Sequence, residues 1–150
     1  MNHISDKDLE VAYKERFSVP DGEFLTSSDK AAKHVTAFLG DSIRDRERFI
    51  VLLLNARNQL MQTVVLFEGS LTASAVYPGE VVKLALKENA AALIIAHNHP
   101  SGNILNPSIE DRNLTERLKS ALKTVEVSLH DHVIVVPGGE FYSFADAGIL

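Results

Sequence analysis

His97 and His99 flank Asn98, and in an extended segment residues i and i+2 point to the same side, so two imidazoles here can share one ion. Asp111 follows twelve residues after His99, beyond a loop in which Pro100, Gly102 and Pro107 can fold the chain back. Two neutral imidazoles and one carboxylate are the donors of a catalytic zinc, with a fourth position left for water. One carboxylate leaves the ion a net charge near +1, which helps to lower the pKa of water toward ~7. The same residues have plainer uses: a loop histidine is usually a surface group, and Ser108-x-x-Asp111 is also a helix capping box. Their conjunction after a buried strand singles them out. His130-Asp131-His132 holds a second H-x-H, which reads as structural or exposed, with His132 a partner for one of the ligands. His3 and His34 have no comparable context.

The elements around these residues follow from periodicity. Residues 5–17 read as a helix capped by Ser5 or Asp6, and TSSDKAAKHVTAFLG as a second helix stopped by Gly40. Two apolar runs around the polar turn Asn55 to Gln59 predict an antiparallel hairpin, and Leu71 to Val76 a further strand. Pro78 and Gly79 open a helix with Val81, Leu84 and Ala85 on one stripe. Ala91 to Ala96 is apolar without alternation, as a strand buried on both faces should be, and it runs straight into the loop that starts with His97. From Ser108, residues Leu114, Leu118, Ala121, Leu122 and Val125 predict the clearest helix. Val127 to Val136 and Glu140 to Phe144 are two last strands around Pro137-Gly138-Gly139. The fold class is α/β (α+β): one domain with a mixed sheet flanked by helices.

Composition narrows the functions. The 150 residues are 45% hydrophobic and 23% charged, enough to bury a sizeable core. Fifteen Lys and Arg against twenty Asp and Glu give a net charge of −5, so no bulk positive field draws the chain to phosphate backbones or anionic lipid. There is no cysteine, which excludes disulfides, thiolate nucleophiles and Cys-ligated zinc together. No segment has the length of a bilayer span or the pattern of a signal peptide, and the expected setting is the cytoplasm.

Beyond this reading, His97-Asn98-His99-Pro100-Ser101-Gly102 followed by Pro107-Ser108-x-x-Asp111 resembles the HNHPSG…PSxxD signature of the RadC branch of the JAB/JAMM (MPN) metallopeptidase superfamily. Pro78-Gly79-Glu80 stands where that family has Pro-Arg-Glu, Leu129-His130-Asp131-His132 is similar to its Leu-Leu-Asp-His, and Phe141-Tyr142-Ser143-Phe144 to its Tyr-x-Ser-Phe ending. The likeness runs from about Thr26 to the C terminus, which divides the chain into a helical leader, 1–25, and a JAB domain, 26–150, without room for the helix-hairpin-helix region of longer members. Eight residues separate His99 from Ser108 where the family usually has seven.

The resemblance implies the cytidine-deaminase-like architecture of JAB/MPN domains, zinc ligands His97, His99 and Asp111, and Ser108 stabilising a tetrahedral oxyanion. It also implies a general base, Glu47, at the start of the first core strand, with Glu68 and Glu80 as fallbacks. The function so implied is zinc-dependent hydrolysis of an amide or isopeptide bond in a peptide or protein. The rival readings are a catalytically silent metal-stabilised module in DNA repair or metabolism, and a metal-dependent nuclease, which a single-zinc site suits less well. Nucleic acid enters as a partner only through the family label, since the chain has no basic stripe or aromatic stacking platform.

Overall fold

The two long apolar runs pair as predicted in the computed structural model, which describes residues 5–69, 76–102 and 106–150. They form β1 (Arg48–Leu54) and β2 (Leu60–Glu68), antiparallel to each other. Asn55 ties the turn between them, its Oδ1 accepting from the amides of Arg57 (2.9 Å) and Gln59 (3.0 Å). β3 (Ala92–Asn98) lies on the other side of β1, also antiparallel, and β4 (Ser128–Val135) runs parallel to β3. β5 (Phe141–Ser143) closes a five-stranded mixed sheet in the order β2-β1-β3-β4-β5. A parallel neighbour requires a crossover, and the helix from Ile109 to Thr124 supplies it.

Side chains of each strand alternate between two cores. On one face Ile50, Leu52, Leu54, Ile94, Val133 and Val135 pack with α2 (Ser28–Leu39) through Ala31, Val35 and Leu39. On the other, Phe49, Val51, Leu53, Leu93 and Ile95 pack with α3 (Pro78–Lys87) and α4 (Ile109–Thr124) through Val81, Ala85, Leu118 and Leu122. Because β1 and β3 carry helices on both faces, each is apolar without alternation. The same parity puts Phe49 and His97 on the α3/α4 side and Asn98 on the α2 side.

Two differences from the sequence reading stand out, at the end of β3 and at His34. β3 extends two residues past Ala96, because the ladder to β4 continues through His97↔Ile134 and Asn98↔Val135 after the apolar run has ended. The strand expected over Leu71 to Val76 lies outside the described residues except for Val76, which is buried without belonging to a strand. His34 is a buried connector: its Nδ1 accepts from the Val19 amide (2.7 Å), so Nε2 carries the proton and donates to Thr63 Oγ1 (2.9 Å). Burial, opposed by the charge of Asp21, pushes its pKa down to about 4. α1 (Asp6–Phe17), capped by Ser5, buries none of its residues and rests on α2, with Lys33 Nζ 5.1 Å from the centre of the Phe17 ring. Among the described residues no helix is long and apolar enough to cross a membrane.

Candidate metal centre

His97 leaves β3 on the α3/α4 face, His99 follows two residues later, and the first turn of α4 brings Asp111 to both. One ligand atom from each of the three lies within 4.8 Å of the others. His97 Nε2 is 2.9 Å from His99 Nε2 and 3.7 Å from Asp111 Oδ1. Zinc–ligand bonds of ~2.0–2.1 Å in a tetrahedron put donor atoms about 3.3 Å apart, a value between those two separations. The donor set and its spacing therefore fit zinc.

The capping box orients the carboxylate. Ser108 Oγ accepts from the Asp111 amide (3.0 Å) and Asp111 Oδ2 accepts from the Ser108 amide (3.0 Å), which turns Oδ1 toward His97. One side chain thus completes the capping box and faces His97. Ser108 itself is exposed, and its bond to Asp111 uses an oxygen lone pair and leaves the hydroxyl proton to be donated elsewhere.

Behind His97 the ring of His132 fills the α3/α4 face of β4. Its Nε2 is 2.8 Å from His97 Nδ1 and its Nδ1 is 2.6 Å from Thr115 Oγ1, which donates to the Asp111 carbonyl oxygen (2.7 Å). Phe144 stacks on this imidazole at 4.4 Å between centroids. Burial, reinforced by the neighbouring histidines, holds the His132 pKa well below its ordinary value. Burial also takes His97 down to about 4, against the pull of Asp111, so both rings are neutral near pH 7, as ligation requires. His130 instead faces outward to Asn58 Oδ1 (2.9 Å). Asp131 turns to the α2 side of β4 and accepts from Ser143 Oγ (2.5 Å) and the Ala145 amide (3.0 Å), which ties the C-terminal turn to the strand.

Glu47 is half-buried and immediately precedes β1, with its carbonyl accepting from the Gly69 amide (3.0 Å). Phe49 is the register partner of His97, so the Glu47 end of β1 lies beside the His99 end of β3. Asn98 secures this end. Fully buried, its Nδ2 donates to the carbonyls of Ile43 (2.9 Å) and Arg46 (3.0 Å), and its Oδ1 accepts from the Arg48 amide (2.8 Å). Arg48 adds a second clasp, to Asp45 Oδ1 (2.7 Å) and Glu68 Oε1 (3.3 Å). Glu68 is thereby engaged with Arg48, and Glu80 lies in the first turn of α3 with Lys83 3.4 Å away.

Sequence reasoning missed the parts played by Asn98 and Thr115. Asn98 sat inside the motif as a spacer, although parity already put its polar side chain on a buried face. Thr115 had one available signal: it is four residues after Asp111, one helical turn along the same face.

With this geometry in view, the chain's likeness to known proteins acquires residues. It matches the RadC-like JAB domain over residues 25–149. The chain belongs to that family. A UPF0758 protein of Vibrio atlanticus (strain LGP32) is 47% identical over 127 residues, covering 85% of this chain and 55% of the relative. A UPF0758 protein of Shewanella baltica (strain OS185) is 48% identical with the same coverage, and one of Vibrio cholerae (strain M66-2) 46%. This RadC-like JAB chain therefore spans about 55% of the length of the curated relatives it matches. The architecture of a single α/β domain with a five-stranded mixed sheet and four helices among the described residues is consistent with a JAB/MPN fold.

Proposed function

We propose that this chain is a zinc-dependent hydrolase of amide or isopeptide bonds, acting on a peptide or protein. The observation that carries the reading is the convergence of two imidazoles and a carboxylate at the end of a buried strand, beside the strand end that bears Glu47. His97, His99 and Asp111 would hold the ion. Zinc bound there supplies Lewis acidity for a carbonyl and for water. Glu47 takes the proton of the attacking water and later hands it to the leaving amine, a sequence that one carboxylate can perform. Ser108, with its oxygen already engaged by the Asp111 amide, donates its hydroxyl proton to the oxyanion. Residues 26–150 form the catalytic unit and 1–25 a leader that carries α1, and the setting is the cytoplasm.

The test is a cleavage screen with peptides and isopeptide-linked peptides, run on zinc-replete and chelated protein. Cleavage should follow zinc. Glu47→Gln keeps the side-chain shape and should lower turnover by at least ~100-fold while zinc content persists. Cleavage indifferent to chelation would overturn the proposal, and normal turnover in the Glu47 variant would move the base elsewhere.

A further inference from the structure

The chain of contacts that runs from His97 through His132 and Thr115 to the Asp111 carbonyl admits only two arrangements of protons. Each neutral imidazole has one N–H and one lone pair, and a hydroxyl has one proton to donate. If the Thr115 hydroxyl donates to the Asp111 carbonyl, its oxygen accepts, so His132 carries its proton on Nδ1. His132 Nε2 is then a lone pair and takes the proton of His97 Nδ1, which leaves His97 Nε2 bare toward His99 and Asp111. Reversing the hydroxyl reverses the chain, and His97 Nε2 becomes an N–H that repels a cation. The 2.7 Å bond from Thr115 Oγ1 to the Asp111 carbonyl oxygen, with 2.6 Å and 2.8 Å at the two histidine links, selects the first arrangement.

We propose that Thr115, acting through His132, is the positioning residue that fixes the metal-binding tautomer of His97. The inference rests on the reading of His97, His99 and Asp111 as a metal site and deepens it. His132 is fully buried, with Phe144 stacked on one side and the Phe49 ring 6.4 Å away, so water has no access to relay a different proton arrangement. Thr115 is itself buried, on the second turn of the helix whose first turn bears Asp111. One hydroxyl thus connects two of the three ligands, by a bond to the backbone of one and through an imidazole to the ring of the other.

The experiment uses the whole chain and two readouts. Long-range nitrogen–proton NMR of the metal-free protein should show His132 and His97 both protonated on Nδ1. Thr115→Val, which keeps the shape and removes the hydroxyl, should disturb that pattern and weaken zinc binding by about 10-fold or more, the scale seen when a partner of a ligating histidine is lost. Thr115→Ser should restore both readouts, which a purely packing role for the threonine would not predict. His132 found protonated on Nε2 in the wild type, or zinc affinity indifferent to Thr115→Val, overturns the inference and leaves the metal site standing. A wild-type protein that takes up no zinc overturns the metal site itself.

Discussion

At the scale of single residues, the donor set predicts its own dependence. His97→Ala, His99→Ala and Asp111→Ala should each lower zinc content from about one per chain, because each removes one of three protein ligands. His130→Ala, whose side chain faces Asn58, should retain it; metal analysis of the four purified variants decides. Unlike the variants of the candidate ligands, Asn98→Ala should keep zinc while losing turnover, since its amide grips the segment that carries Glu47 and points away from His97, His99 and Asp111. It also leaves the Ile43 and Arg46 carbonyls and the Arg48 amide short of a partner, at about 1–3 kcal/mol for each group left buried and unsatisfied. Denaturant unfolding with zinc content on the same sample separates the two effects. The candidate ligands stood out in the sequence because few residue types bind zinc and the two histidines at i and i+2 follow an apolar run directly, and the structure brings both together with Asp111. Asn98 and Thr115 were not, because their partners are backbone carbonyls and a histidine that only tertiary structure brings within reach.

At the scale of elements, burial sets the stakes. Leu53, with no exposed surface in the core under α3 and α4, should cost about 2–5 kcal/mol on truncation to Ala, a loss that urea unfolding would register. His34 makes α2 sensitive to acid in a direction that follows from its depressed pKa. Above pH ~6.5 the folded and unfolded states are both neutral there and the group has no effect. As the pH falls toward about 4, the unfolded chain takes up a proton that the folded one refuses, so stability declines, by a few kcal/mol at ~1.4 kcal/mol per unit. His97 and His132 act in the same direction in metal-free protein, so the contribution of His34 is the difference in slope between wild type and His34→Asn from pH 7.5 to 4.5. Equal slopes would contradict the assignment. Helix starts were legible where a cap was, since Ser5 and Ser108 accept the amides that the sequence pattern assigns to them. The end of β3 was not, because a hydrogen-bonded ladder is indifferent to side-chain polarity and continues through His97 and Asn98.

At the scale of the whole molecule, charge argues against a nucleic-acid surface. Lys83 and Lys87 on α3 and Lys119 and Lys123 on α4 belong to packed helices, but Lys83 already has Glu80 at 3.4 Å and the chain carries −5 overall. Affinity for DNA should therefore be near ~10⁻⁴ M at physiological salt with a shallow salt slope, measured by anisotropy of labelled single- and double-stranded oligonucleotides. Sub-micromolar binding with a steep slope would favour a DNA-metabolism module instead. The fold class was readable from the mix of patterns, whereas the strand order was not, because nothing in β3 or β4 alone declares which neighbour is parallel. That parallel pair has a further consequence. The three candidate ligands, Ser108, Thr115, His132 and the Asn98 clasp all belong to the continuous stretch β3-α4-β4, while Glu47 and Arg48 come from an earlier, separate part of the gene. On the proposed reading, ion binding and the oxyanion group thus rest on one segment of coding sequence, and the general base on another. On the proposed reading, a lineage that stopped needing the reaction would lose Glu47 first, because β1 itself is buried on both faces and paired with β3 and so is held by the core.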